Sequence, residues 1–163
     1  PFISAESQNW IKPIDTTEFT LNSELNPLVK ITIMKLNYSG TEFIGGDECG
    51  SNFMALYSKY TMNLDPNPFL KIISVRDEVI FMGNDKYNES YIATLNTRFD
   101  TLHQNKFSQV IKSDTIFFGI KHTKLKIKNN TSLYKAIIFK ELDFIQNIGI
   151  VRIVDSLDNI WIR

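Results

Sequence analysis

Asp85-Lys86-Tyr87-Asn88-Glu89-Ser90-Tyr91-Ile92-Ala93-Thr94-Leu95-Asn96-Thr97-Arg98-Phe99-Asp100-Thr101-Leu102 is the stretch on which the fold class turns. Tyr87, Tyr91, Leu95, Phe99 and Leu102 recur at steps of three and four residues with Ile92 beside them, the spacing of one face of a helix. Asn84 or Asp85 supplies an N-cap. The periodicity predicts a helix over about residues 85–102, packed by its apolar stripe on one face of a sheet.

The flanks on either side read as strands. Trp10 to Ile14, Val29 to Leu36, Phe53 to Met62, Phe69 to Val75, Glu78 to Met82, Asp114 to Ile120, Lys124 to Lys128, Tyr134 to Glu141 and Ile150 to Val154 are rich in β-branched and aromatic residues. Asn26-Pro27, Ser39-Gly40, Gly45-Gly46, Asp65-Pro66-Asn67-Pro68, Gly83-Asn84-Asp85 and Asn129-Asn130 punctuate them as turns. Leu142 to Asn147 reads as a second short helix or a turn. The expected class is α+β, a strongly curved antiparallel sheet packed against one main helix, in a single domain spanning residues 1–163.

Composition narrows the function classes. The 43% of hydrophobic residues and 22% of charged ones are ordinary globular values, which exclude a disordered chain. Eighteen Lys and Arg balance eighteen Asp and Glu, so the overall field gives no reason to expect nucleic acid as a partner. Apolar runs such as Ala136-Ile137-Ile138-Phe139 are far shorter than the roughly 20 residues of a spanning helix, so no transmembrane segment is expected. The chain opens Pro1-Phe2-Ile3-Ser4-Ala5 without an initiator Met, as a processed or trimmed N-terminus does once a signal segment is gone.

The search for chemistry finds no catalytic set. His103 and His122 are the only histidines, and neither is spaced from a carboxylate or cysteine as metal ligands are. The single Cys49 excludes a disulfide scaffold and reads as a small buried hydrophobe, its thiolate disfavoured by Asp47 and Glu48. Gly45-Gly46-Asp47-Glu48-Cys49-Gly50-Ser51-Asn52 lacks both the lysine of a phosphate loop and the order of a dinucleotide turn, and reads as a tight bend. No metal, no cofactor and no enzymatic activity are expected.

Two features point outward. Lys124, Lys126 and Lys128 alternate with Leu125 and Ile127 and share one strand face, either a solvated outer face or edge, or a surface for anionic lipid or polyanion. These lysines are the candidate binding residues. Asn37-Tyr38-Ser39, Asn88-Glu89-Ser90, Asn129-Asn130-Thr131 and Asn130-Thr131-Ser132 match the glycosylation pattern, as chance allows in so asparagine-rich a chain. The aromatics, Phe117-Phe118, Phe139 and Phe144 among them, serve a core first and a ligand cleft second.

The order of these segments resembles the META domain family, whose members include heat-inducible envelope lipoproteins. Trp10-Ile11-Lys12-Pro13-Ile14 is similar to the family's opening tryptophan strand, and Glu48-Cys49-Gly50-Ser51-Asn52-Phe53-Met54-Ala55-Leu56-Tyr57 to its central Gly-Cys-Asn element with extra residues between cysteine and asparagine. Glu89-Ser90-Tyr91-Ile92-Ala93-Thr94-Leu95 resembles its helix, and Leu125-Lys126-Ile127 through Ala136-Ile137-Ile138-Phe139 its late hairpin. The resemblance covers about residues 10–141 and leaves the last strand out. Where the family often has Thr-Met-Ala-Cys, the chain reads Val79-Ile80-Phe81-Met82-Gly83, which removes any cysteine pairing.

The resemblance implies a non-enzymatic accessory domain, periplasmic, outer-membrane-tethered or secreted, linked to stress or surface integrity. Its expected partner is another envelope component, an envelope protein or a membrane surface. The alternative is a carrier of a small hydrophobic ligand or lipid, held in a cleft between sheet and helix.

Overall fold

The computed structural model describes residues 2–11, 18–44, 50–63, 65–84, 89–129 and 139–163. Its architecture is all-β. The strands are β1 (Glu18–Ser23), β2 (Lys30–Ile44), β3 (Ser51–Met62), β4 (Leu70–Val75), β5 (Glu78–Asn84), β6 (Glu89–Asn96), β7 (Thr101–Gln104), β8 (Ser108–Phe117), β9 (Ile120–Asn129), β10 (Phe139–Ile145), β11 (Gly149–Asp155) and β12 (Ile160–Ile162). They form one sheet in the order β7-β6-β5-β4-β3-β2-β1-β12-β11-β10-β9-β8, every neighbouring pair antiparallel.

That order is an up-and-down meander closed on itself where β1 meets β12, with Asn22 opposite Ile162 and Ser23 opposite Trp161. Closure pairs what would otherwise be two free edges. The one remaining gap lies between β7 and β8, consecutive in the chain. Side chains stitch it: the Val110 N–H donates to Gln104 Oε1 at 2.8 Å and Lys112 pairs with Asp100, while Asn105 Nδ2 ties the connecting turn to β6 by donating to the Tyr91 carbonyl.

The α+β expectation is therefore corrected: the segment expected as the main helix is β6, a turn and β7, with residues 85–88 and thus Tyr87 outside the described part. Ile92 and Leu95 are buried among the core residues, whereas Tyr91 and Phe99 are exposed. A register shift opposite Phe81 and Met82 separates the residues of the expected stripe. Residues four apart share a face in a regular strand as in a helix, but the extra residue Ile92 between Tyr91 and Ala93 slips the alternation by one, so Tyr91 faces out while Leu95 faces in. Asp100, at φ 54°, then turns the chain into β7.

Other expectations shift in smaller ways. Trp10 and Ile11 are not in a strand but follow the four-residue helix α1 (Ala5–Gln8), and residues 12–14 lie outside the described part. Leu142 to Asn147 is the end of β10 and a turn, and Asp114 to Ile120 runs across the β8–β9 hairpin rather than along one strand. Val29 to Leu36, Phe53 to Met62, Phe69 to Val75, Glu78 to Met82, Lys124 to Lys128 and Ile150 to Val154 all fall on strands or begin within one residue of them.

Alternation turns one face of the sheet inward and fills it. At the centre Phe144 lies 6.0 Å from Trp10 and 5.9 Å from Phe81, ring centroid to centroid, and meets Tyr60 edge-on at 6.1 Å. Leu21, Ile33, Leu70 and Ile72 surround these rings without measurable exposure. Such burial drives the closure, since each large apolar side chain removed from water contributes about 1.5–3 kcal/mol.

The N-terminal segment stops one end of the barrel. Ser4 caps α1 by accepting the Ser7 N–H at 3.2 Å. The Ser4 N–H donates to the Arg76 carbonyl at 3.0 Å, and the Asn147 N–H to the Asn9 carbonyl at 2.9 Å. Ser7 and Thr97 hydroxyls meet at 3.1 Å. The plug is thus tied to the β4–β5, β6–β7 and β10–β11 turns, which the meander places at this same end.

Candidate functional site

Exposed apolar side chains stand at both ends of the barrel: Leu25, Leu28 and Leu157 on the β1–β2 and β11–β12 turns at the open end, and those of two long hairpins at the plugged end, where strands rather than turns carry most of them. In an up-and-down sheet alternate hairpins share an end, so the β2–β3 and β8–β9 hairpins both point this way. Both overrun their neighbours. β3 is paired with β4 only as far as Ala55, opposite Val75, and β9 with β10 only as far as Lys124, opposite Ile145. Among the described residues, 51–54 and 120–122 therefore run on without a further partner strand in their ladders.

Each extension has its own reason to hold shape. On β2–β3, Tyr38 and Tyr57 stack at 4.7 Å, and the Tyr57 hydroxyl donates to Glu42 Oε1 at 2.7 Å and to the Thr41 carbonyl at 3.1 Å. Burial, then this bond to Glu42, raises the Tyr57 phenol, so the hydroxyl stays a donor. Gly40 is required beneath that ring: a Cβ there would stand 2.9 Å from Tyr57 Cε2. On β8–β9, Phe117 faces Ile120 across a two-residue loop, Phe118 at φ 48° and Gly119 at φ 77°. Positive φ at both central positions is the pattern of the type I′ turn, which suits the strand twist.

The tips are apolar where water reaches them. Phe118 is 90% exposed and Ile116 76%, with Ile120 also exposed. Phe43 and Met54 are exposed on the other hairpin, and Phe99 on the β6–β7 turn at the same end. The sequence reading that assigned the aromatics to a core holds for Phe139 and Phe144, both buried, but not for Phe118. Phe118-Gly119 between two alternating runs is the signal that was available, a two-residue hairpin loop with glycine second.

The candidate lysines lie down the same hairpin on the outward face. Leu125 and Ile127 point inward without measurable exposure, and Lys124, Lys126 and Lys128 alternate outward. They meet acids from the next strand. Lys124 and Lys126 approach the Asp143 carboxylate to 4.0 and 3.9 Å, and Lys128 approaches Glu141 to 3.9 Å, while Arg152 of β11 bonds Glu141 at 2.7 Å. The Arg152 hydrogen bond holds Glu141 below the usual carboxylate range. Asp143 is 6% exposed, so its carboxylate faces those two lysines out of bulk water.

The remaining candidates are scattered. His103 is on β7 and His122 on β9, and among the described residues no group of three or more His, Cys, Asp or Glu is placed to hold a metal ion. Cys49 and residues 45–48 lie outside the described part, as do Asn88 and Asn130. Asn129 is buried and bonded by Ser108 at 2.7 Å, and Asn37 accepts from Ser58 at 2.6 Å. An open groove of about 550 Å³ runs over Met34, Leu36, Lys59, Thr61, Pro66 and Pro68. It lies on the outer wall of β2 and β3, not between a sheet and a helix.

Among the described residues no helix is long and apolar enough to cross a membrane. Compared with known proteins, the chain matches no family model, no curated protein and no solved structure, so the reading of its function rests on this geometry.

Proposed function

We propose that this chain is a non-enzymatic binding domain that works at an envelope or membrane surface and engages its partner with the plugged end. The observation that carries the reading is the apolar rim. Ile116, Phe118 and Ile120 on one hairpin and Phe43 and Met54 on another are held in water by ordered strands, at the end where the barrel is already stoppered. Leu25, Leu28 and Leu157 are exposed at the other end too, but on short turns, whereas apolar groups held out on paired strands that overrun their neighbours mark an interaction site. The interior supports binding outside over carriage inside, because Trp10, Tyr60, Phe81 and Phe144 fill its middle ring against ring.

Sedimentation with native envelope membranes tests the reading. The intact protein should pellet with the membranes, and Phe118→Asn combined with Met54→Ser should leave it in the supernatant with an unchanged melting curve. Equal pelleting of the two proteins would sink the assignment of the rim.

A further inference from the structure

We infer that the β8–β9 tip is an interfacial membrane anchor, its Ile116, Phe118 and Ile120 entering the headgroup and acyl boundary of an anionic bilayer. The inference rests on the reading of the rim given above and names its partner class.

The first ground is a conflict at Phe118. Its φ of 48° is a left-handed conformation that suits Gly, Asn or Asp. Elsewhere among the described residues Asn63, Asp100, Asn147 and Asp158 hold such positions, and so does Arg76, which unlike Phe118 is tied into the fold, its carbonyl accepting the Ser4 N–H and its guanidinium lying 4.9 Å over the Phe53 ring. A phenylalanine there is strained and, at 90% exposure, buries almost nothing within its own fold. Its only described ring partner is Phe117, at 4.6 Å. A residue that breaks a local rule without internal compensation marks a functional position.

The second ground is charge. The hairpin carries Lys112, Lys121, Lys124, Lys126 and Lys128 against Asp114 alone, in a chain whose formal net charge is zero. Acids from Asp100, Asp143 and Glu141 offset part of this surplus, and Asp114 holds Lys121 at 3.1 Å. The lysines nearest the tip keep their long stems partly in water, the arrangement by which lysine reaches lipid phosphate while apolar neighbours go deeper.

The third ground is shape. The tip is a narrow hairpin, and beyond Thr123, whose carbonyl accepts the Gln146 N–H, it extends three strand residues plus the loop, about 10 Å at 3.3 Å per residue. Interfacial elements bury their apolar side to about that depth. Phe43, Met54 and Phe99 add further exposed apolar points elsewhere around the same rim. Several points spread about one end suit a flat apolar surface better than the single pocket of a protein partner.

The test uses the intact chain with two sets of vesicles, pure phosphatidylcholine and an equal mixture of phosphatidylcholine and phosphatidylglycerol. The protein should float with the mixed vesicles, less so at high salt, and only feebly with the neutral ones. Phe118→Asn places a residue that favours the turn, so the variant should melt no lower than the parent while its partition falls about tenfold or more. A Phe118→Trp variant should show an emission shift and quenching by brominated lipid that the parent, with Trp10 and Trp161 alone, does not. Absence of flotation with mixed vesicles overturns the inference. So does flotation that Phe118→Asn leaves intact, or self-association in sedimentation velocity that the variant abolishes, which would make a second copy the occupant. Loss of pelleting with native envelope membranes in the rim variants, but no flotation with protein-free vesicles, would leave the binding role standing and refute the lipid partner.

Discussion

Removing the ring of Phe144 is the most direct test of the architecture. The side chain is fully buried and touches Trp10 of the plug, Phe81 of β5 and Tyr60 of β3, so one truncation loosens three separate parts of the barrel. The lost transfer energy of a phenylalanine is about 1.5–3 kcal/mol, and each favourable ring pair adds about 0.5–1.5 kcal/mol. A wall of closed strands cannot collapse fully into the space, so a cavity term is added, and Phe144→Ala should cost about 4 kcal/mol. For a chain of this length that corresponds to a fall in Tm of about 8–16 °C. Phe99→Ala is the matched control. Phe99 would be buried mid-stripe in a helix, but it is 67% exposed on the β6–β7 turn, so its loss should stay within about 0.5 kcal/mol. Thermal melts by circular dichroism of the two variants decide the matter. Comparable losses, or a Phe99→Ala loss above that of Phe144→Ala, would refute the inward and outward assignment and with it the barrel.

Two further outcomes follow from buried and bonded carboxylates. Lys124→Gln with Lys126→Gln should destabilise by about 1–3 kcal/mol, because the buried Asp143 carboxylate loses the two cations that face it, and adding Asp143→Asn should recover most of that loss in a double-mutant cycle. An additive cycle would show that the lysines do not act through that carboxylate. Asp155 is held below its usual range: burial opposes this, but hydrogen bonds from Asn159, the Trp161 indole and the Leu157 N–H outweigh it. A carboxylate lowered in the folded state contributes stability above its unfolded value of about 4, lost as pH falls through the folded value. Asp155→Asn should therefore cost about 2 kcal/mol at neutral pH and flatten the fall in Tm on acidification towards about pH 3, whereas parallel pH profiles would count against it.

The sequence by itself determined the strands whose two faces differ chemically. Lys124 to Lys128 reads the same from residues and from structure, because alternation every second residue sets lysine against Leu125 and Ile127 wherever the strand is placed. Antiparallel pairing was legible as well, since Asn, Asp, Pro and Gly punctuate the chain too closely for crossover connections. The candidate lysines were visible as a face, but Asp143 and Glu141, which meet that face, belong to the next strand, more than ten residues along the chain from the lysines they pair with. Only the register of β9 on β10 brings them there.

Other features were decided by tertiary structure alone. The segment 89–104 carries a helical spacing and a strand composition together, and no local rule chooses between them. Pairing of Val79 with Leu95 and of Leu95 with Leu102 chooses the sheet, and the bulge at Ile92 reconciles the residues with it. Trp10 reads as the start of a strand, yet its ring stops one end of the barrel between Phe81 and Phe144, both far along the chain from it. The exposure of Phe118 was equally hidden, since a phenylalanine in sequence is apolar wherever it lies. Only the overrun of β8 and β9 past β10 puts that ring in water, where burial within its own fold no longer accounts for it.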